Sequence, residues 1–566
     1  MRSSSSRLRR LEWVGVSVLL FGLFGVEAAY FLGLGSGLRR FAALYWIGCS
    51  VALILSAVAF SFSPFLDRAF WRLPNRAGYL TAFLLPPILV LFGGGGVAFT
   101  HVDGEGVEQL AVGLSLMKHD PGLGVYSMAY FTNLARQYEL NGLPSRFFGA
   151  SLWTLRLGNS LFFLCSYLFF LSGLVSYLRK RNTEAPLLLA SYCGIMIAFA
   201  EYTLLNARKF EQTTMPIAAT LFFLGAMLLF LNQQTPLRFL WVTWVFGFLT
   251  ECYTPALGSW VLALGIMLYL ITRRRHRIFT VTIAYGILSL VVAFLIEQRA
   301  NNGLLADKFS VQASHLTPTD RILRYMEGMR ALAGFDHSLL PAPLTLGVLA
   351  ALYISWRLRE GRFPAICLWA IAMAFVSLTF VGSNVNVPAY DLHRALIILP
   401  PLALGIVILL ARTLERPDLA DSTRKGMKLA MGFSMAYMVF AGVCTVFLVR
   451  TLYGPQTLDD YDEVCADLNQ LVLSPKTVRP IRIYLLPPLE KNLAYAMWFF
   501  EPDGAAYAAT PPVGERVPGT YIFSYRVKDP KDRFDDTVAP SRHPRPFIQV
   551  EDEWSVYARK GWNPAP

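Results

Sequence analysis

The chain has 566 residues, of which 55% are hydrophobic and only 16% charged, with a mean hydropathy of +0.44. So small a charged fraction cannot solvate the surface of a water-soluble protein of this length, which excludes an ordinary soluble domain and points to lipid as the solvent. The formal net charge is +13, yet the Lys and Arg fall in short clusters between apolar runs, the pattern of loops held on the cytoplasmic side of a membrane rather than of a nucleic-acid surface.

The N-terminus, Met1 to Arg10, is basic and leads into an apolar stretch from Leu11 to Leu34. That stretch is long enough to span and has no small-residue cleavage site, so it reads as a retained anchor. A spanning helix needs roughly 20 apolar residues. Further candidates run at 41–62, 78–99, 158–178, 186–205, 213–231, 237–252, 256–272, 278–296, 343–357, 364–382, 395–412 and 427–449, about thirteen spans with the first. The expected fold class is a polytopic α-helical membrane protein, with a transmembrane domain over 1–449 and a small soluble domain over 450–566.

Charge sets the orientation. With the N-terminus cytoplasmic, the inner loops contain Arg68/Arg72/Arg76, Arg179/Lys180/Arg181, Arg238, Arg273/Arg274/Arg275/Arg277, Arg357/Arg359/Arg362 and Arg412/Arg416/Arg424/Lys425/Lys428. These are nearly all of the dense basic clusters, as the positive-inside rule requires, and Arg39/Arg40 is the exception. A multi-pass protein of the cell (inner) membrane is expected, its C-terminal domain outside, in the periplasm or its equivalent. Three outer segments exceed simple turns: 100–157, 297–342 and the tail from 450. In the tail, 458–471 has helical spacing, and Ile481–Leu486, Thr520–Tyr525 and Phe547–Ala558 read as strands of an α/β or α+β cap. Six cysteines (Cys49, Cys165, Cys193, Cys252, Cys367 and Cys444) lie in or beside apolar segments and Cys465 lies in the tail, with no disulfide or zinc spacing.

The most informative polar stretch follows the third span: Thr100-His101-Val102-Asp103-Gly104-Glu105-Gly106-Val107-Glu108. Two acids stand where the helix leaves lipid, ahead of an apolar segment, Val107–Met117, and a second amphipathic one, Met128–Leu140. A carboxylate between low-dielectric walls and water has a raised pKa and is a stronger base. The structural alternative is that Asp103 caps the following helix and Glu105 and Glu108 complement its dipole. Leu155-Arg156-Leu157-Gly158-Asn159-Ser160 opens the next span, and Asn206-Ala207-Arg208-Lys209-Phe210-Glu211 occupies the next outer loop. Tyr390-Asp391-Leu392-His393-Arg394 leads into Leu399-Pro400-Pro401.

In their order and common side, these stretches resemble the membrane-embedded C-type glycosyltransferases, in the dolichyl- or polyprenyl-phosphate-sugar branch that includes protein O-mannosyltransferases and the aminoarabinose transferase of lipid A. The resemblance covers roughly 78–412. It implies that Asp103, with Glu105 as the alternative, is the base, the intervening Gly104 standing where the family commonly has adjacent acids. It further implies transfer of a sugar from a polyprenyl-phosphate donor to a lipid, glycan or protein acceptor, with inversion.

Physical reasoning reaches the same roles from the other side. An anionic carrier phosphate needs cations at the outer leaflet, where the positive-inside rule makes them scarce, and the planar fork of Arg suits phosphate oxygens. Arg394 is the first choice, Arg208 and Lys209 the next; Arg156, Glu211, Lys308, Tyr390 and His393 complete the expected substrate contacts. The alternative for each cation is a snorkelling interfacial side chain.

Glu201 and Glu251 fall near the outer ends of spans, where an ionisable group is costly. His101, Asp103 and Glu211 offer donors for a divalent cation, but no compact motif joins them, so dependence on a metal stays open. Loop 297–342 has the length of a lid over the donor or of a plain connector. Gly93–Gly96 suits close helix packing or room for a lipid chain rather than a phosphate loop, since no Lys-Ser/Thr follows. Two other functions compete: a transporter or flippase, which needs mid-membrane charges along a pathway, and a lipid-linked glycan polymerase or ligase, which needs a large outer loop rich in Arg and His.

Overall fold

The structure is a computed structural model that describes residues 35–93, 140–148, 152–200, 203–208, 214–251, 282–289, 317–332, 343–380, 396–453, 481–485, 505–508 and 520–523, with isolated positions 19, 265 and 291. The described part is overwhelmingly helical. In chain order the helices are α1 (Ser36–Ser61), α2 (Ser63–Leu66), α3 (Arg76–Leu91), α4 (Leu143–Phe148), α5 (Leu152–Lys180), α6 (Pro186–Ala198), α7 (Thr203–Arg208), α8 (Thr214–Asn232) and α9 (Pro236–Glu251). They continue as α10 (Pro318–Leu332), α11 (Pro343–Leu358), α12 (Arg362–Phe380), α13 (Leu399–Leu414) and α14 (Asp421–Tyr453).

Among the described residues, five helices are long and apolar enough to cross a membrane: Leu44–Leu66, Arg156–Lys180, Thr214–Asn232, Leu396–Leu414 and Asp421–Phe447. Five shorter apolar helices accompany them, among them Arg76–Leu91 and Pro186–Ala198. The boundaries follow local chemistry. Proline opens α6, α9, α10 and α11, where its missing N–H costs nothing and its fixed φ suits the first turn. Pro86 and Pro87 lie inside α3, which spanning helices tolerate when neighbours satisfy the freed carbonyls; the Tyr167 hydroxyl donates to the Ala82 carbonyl at 2.8 Å.

The bundle is organised about α5 and α8. Their backbones meet at Gly173 and Gly225: a Cβ on Gly173 would lie 2.9 Å from the Gly225 carbonyl oxygen, and one on Gly225 2.9 Å from Phe170 Cα. Lipid gives helices no hydrophobic drive to associate, so small residues that admit close backbone contact supply the packing. Sparse polar contacts fix the remaining registers. Ser172 donates to the Ser61 carbonyl at 2.7 Å, Trp241 Nε1 to Ser56 Oγ at 3.0 Å, and Trp244 Nε1 to Ser50 Oγ at 3.1 Å. In contrast, α14 is largely exposed on the periphery, with Leu429, Phe433 and Phe440 turned outward.

The basic clusters among the described residues gather at one end. Asp67 pairs with Arg179 at 2.7 Å, Glu184 with Arg424 and Lys428, and Glu360 with Arg412 at 2.6 Å, while Lys180 donates to the Asn232 carbonyl. This is the pattern expected if alternate helices run in opposite directions between a basic end and a second end.

Three expectations differ in detail. The hydropathy of 186–205 predicts one span, but α6 stops at Ala198 and a separate turn, α7, follows. Phe199 closes α6 and packs so tightly on Gly442 of α14 that a Cβ there would lie 2.2 Å from its ring; a hydropathy window cannot sense such a contact. Loop 297–342 contains α10, capped by reciprocal bonds: the Thr317 hydroxyl donates to Asp320 Oδ2 at 2.6 Å, and the Asp320 amide donates to Thr317 Oγ1 at 3.2 Å. The Thr317 hydroxyl, followed by its amide, holds the Asp320 carboxyl below its ordinary pKa. In the tail, Ile481–Leu485 and Thr520–Phe523 are strands as read, joined by an unforeseen Ala505–Ala508 in a parallel three-stranded sheet of order β2-β1-β3, numbered along the chain. The Ala-rich strand carries too few β-branched or aromatic residues to announce itself. The spans 11–34 and 256–272, most of 278–296, the helix 458–471 and the strand 547–558 lie outside the described residues.

Candidate functional site: a buried cation junction

At the end remote from the basic clusters, α3, α5 and α7 converge. Ser160, just over two turns into α5, ties the two singled-out motifs together: its hydroxyl lies 2.6 Å from the Ala207 carbonyl oxygen and 3.3 Å from its own helix's Arg156 carbonyl. Residues 156–160 and 206–208 are thereby neighbours although 47 positions separate Ser160 from Ala207. Thr214 at the start of α8 closes the turn by donating to the Asn206 carbonyl at 3.0 Å.

Both arginines of these motifs are buried. Arg156 is 1% exposed and Arg208 0%, which places them among the largest fully buried side chains of the described residues. Arg208 Nη2 donates to the Leu89 carbonyl at 2.7 Å, near the C-terminal end of α3. A cation there complements the helix dipole and satisfies a terminal carbonyl. Its Nε and Nη1 have no hydrogen-bond partner among the described residues, and no carboxylate there pairs with it. Burial lowers the Arg208 pKa to about 10, so the guanidinium stays charged at neutral pH. The buried Asn206 Nδ2 and Thr203 Oγ1 of the same turn are likewise unpartnered.

Glycine makes the close approaches possible. A Cβ on Gly93 would lie 3.3 Å from Arg208 Nη2 and 3.4 Å from Val446 of α14, in keeping with the close packing expected of the Gly93–Gly96 run. A Cβ on Gly158 would lie 2.2 Å from the Asn141 carbonyl oxygen, so the turn before α4 rests directly on α5. Asn141 is fully buried with both amide atoms unpartnered among the described residues. Sequence reasoning passed over it; its one signal is the Asn141-Gly142 pair, a turn dipeptide directly after the amphipathic stretch.

The structure thus brings Arg156 and Arg208 onto packed neighbouring elements. Asp103, Glu105, Lys209, Glu211, Lys308, Tyr390, His393 and Arg394 lie outside the described residues, as do His101 and Glu201. Glu251 is the last residue of α9, its side chain undescribed. No cluster of three or more metal-ligating side chains occurs among the described residues. The five described cysteines, Cys49, Cys165, Cys193, Cys367 and Cys444, are free thiols.

Chemically, the junction is a desolvated cation with open donors, flanked by an amide and a hydroxyl. It suits an anion that arrives from the membrane interface.

No protein family and no curated protein matches the chain. Solved structures are similar to it, among them two states of one protein. The crystal structure of ArnT from Cupriavidus metallidurans bound to undecaprenyl phosphate is 15% identical, with 76% of this chain and 85% of that chain covered at a TM-score of 0.44. The apo state of the same protein is 16% identical, with 74% and 83% covered and the same TM-score of 0.44. At that TM-score the likeness sets neither the fold nor the function of this chain.

Proposed function

We propose that the chain is a multi-pass membrane glycosyltransferase of the C type, which moves a sugar from a polyprenyl-phosphate carrier to a lipid, glycan or protein acceptor on the outer membrane face. Arg208 supports this reading most. An unpaired buried charge costs several kcal/mol, and one carbonyl bond offsets only part of that. A phosphate at the junction would satisfy the remaining donors through charge-assisted bonds and reverse the desolvation shift.

In the proposed reaction the acceptor gives up its proton to Asp103, or to Glu105 as the alternative base. The acceptor oxygen bonds to the anomeric carbon as the bond from that carbon to the phosphate oxygen breaks, through an oxocarbenium-like state. The carrier departs as polyprenyl phosphate, its growing negative charge met by Arg208 and Arg156, with Lys209 and Arg394 as the further cations. Lys308, Tyr390, His393 and Glu211 are assigned to the rest of the donor and acceptor.

The test measures polyprenyl-phosphate binding to the purified protein in nanodiscs, beside thermal unfolding. Arg208→Gln weakens binding by about tenfold or more, the worth of a charge-assisted hydrogen bond. A variant that loses stability yet binds the carrier phosphate as wild type does would reduce Arg208 to a helix cap and remove the proposal's support. Asp103→Asn abolishes transfer while binding persists; full transfer in both Asp103→Asn and Glu105→Gln variants would defeat the assignment of the base.

A further inference from the structure

A cavity opens near the basic end of the bundle, apart from the Arg208 junction. There α6, α11, α13 and α14 enclose a cavity of about 720 Å³, within the range of small-molecule sites. Gly347, Ala350 and Ala351 of α11 form one wall, Met427 and Met431 of α14 another. Apart from the hydroxyls of Tyr192, Ser434 and Tyr437, the lining side chains are aliphatic, aromatic or thioether. Phe433 at its edge is 69% exposed, which opens the cavity to the surface that faces lipid. Flexible Met side chains and small residues give a lining that adapts to a chain rather than a rigid ring.

Charge identifies the occupant. Along α11, Gly347, Ala350 and Ile354 recur at helical spacing, and the next position on that stripe is Arg357, exposed and without an ion-pair partner among the described residues. Along α14, Arg424 precedes Met427 by one turn and is shared between Glu184 and Asp421. Arg359 and Lys425 are also exposed and enter no ion pair among the described residues, whereas the neighbouring Arg412, Arg416 and Lys428 are each paired with a carboxylate. The mouth therefore holds an excess of positive charge directly beyond an apolar slot.

We propose that this groove binds an anionic glycerophospholipid of the leaflet at the basic end, one acyl chain between α11 and α14 and the phosphate against Arg357. Basic pockets between spanning helices have this chemistry.

The test is native mass spectrometry of the full-length protein released from phosphatidylcholine bilayers that contain dioleoyl phosphatidylglycerol. Wild type retains phosphatidylglycerol in preference to phosphatidylcholine. Ala350→Trp, which fills the slot, abolishes that retention, and Arg357→Gln reduces the preference about fivefold, the worth of one interfacial cation. Equal retention of the two lipids by wild type overturns the proposal, as does a folded Ala350→Trp protein that holds phosphatidylglycerol normally. Should Ala350→Trp not fold, the exposed Arg357→Gln variant decides alone, and unchanged retention overturns it. Preferred retention of an added polyprenyl phosphate at this groove, or a dimer that buries it, also overturns it. Carrier binding at the Arg208 junction is unaffected by Arg357→Gln, so the two proposals fail separately.

Discussion

The two ends of the helical bundle handle positive charge in opposite ways. At the basic end, Arg179, Arg412 and Arg416 each meet a carboxylate, at 2.7, 2.6 and 2.5 Å, and each partner in these pairs keeps at least 21% of its side chain exposed. Such pairs contribute little each: Arg179–Asp67 and Arg412–Glu360 tie a helix end to a loop remote in the chain and Arg416–Asp418 lies within one loop, all where water already solvates the charge. At the far end, Arg208 is fully buried and, among the described residues, meets only a backbone carbonyl. A solvated cation can spend its charge on structure; a desolvated one without a counter-ion has donors left for a ligand.

The largest effect should come from testing that contrast directly. Arg208→Gln is expected to weaken polyprenyl-phosphate binding about tenfold or more, whereas Arg179→Gln leaves it unchanged, both read by titration in nanodiscs. Equal losses in the two variants would erase the distinction between the ends. Next, Gly158→Ala drives a Cβ into the Asn141 carbonyl and should cost about 1–3 kcal/mol in reversible unfolding, since an overpacked interior must shift to admit it. An Ala variant with wild-type stability would show that the turn before α4 is not held against α5.

A smaller effect is expected in α10. Thr317→Ala removes the cap and should cost about 1 kcal/mol locally, seen as faster amide exchange in 318–332 alone. The smallest concerns Asp67. Its hydrogen bond from Arg179, with a second from the Ala69 amide, lowers the Asp67 pKa. A depressed carboxylate stabilises the fold fully above its ordinary pKa, and that contribution fades as pH falls through the depressed value. Asp67→Asn should therefore lower the melting temperature slightly at neutral pH, and the difference from wild type should shrink as pH falls below the ordinary carboxylate range and through the depressed value. A penalty that persisted in acid would mean that shape rather than charge joins the loop to α5.

Much of the helical layout was legible because hydrophobic runs and proline starts are local properties. The spans read at 213–231 and 343–357 differ from α8 and α11 by a single residue at each end or less. Among the described residues, Arg179, Arg412, Arg424 and Lys428 of the basic clusters meet carboxylates at the loop ends of their helices, while Arg273–Arg277 lies outside the described residues. The break after Ala198 was not legible: the apolar run continues through it, and the contact made there, Phe199 on Gly442, joins positions far apart in the chain. At the site, the sequence singled out Arg156 and Arg208 by residue type and position. It could not rank them above Lys209 or Arg394, since burial and missing partners are properties of packing.

The sequence by itself determined that this protein belongs in lipid and which of the described apolar runs form helices, since each follows from residues read over one or a few turns. Only the tertiary structure decided that Ser160 would bridge α5 to the Ala207 carbonyl, that Arg208 would be stripped of water beneath the end of α3, and that α11 and α14 would leave a groove between them. Those outcomes rest on backbone distances between segments remote in sequence, and no periodicity encodes them.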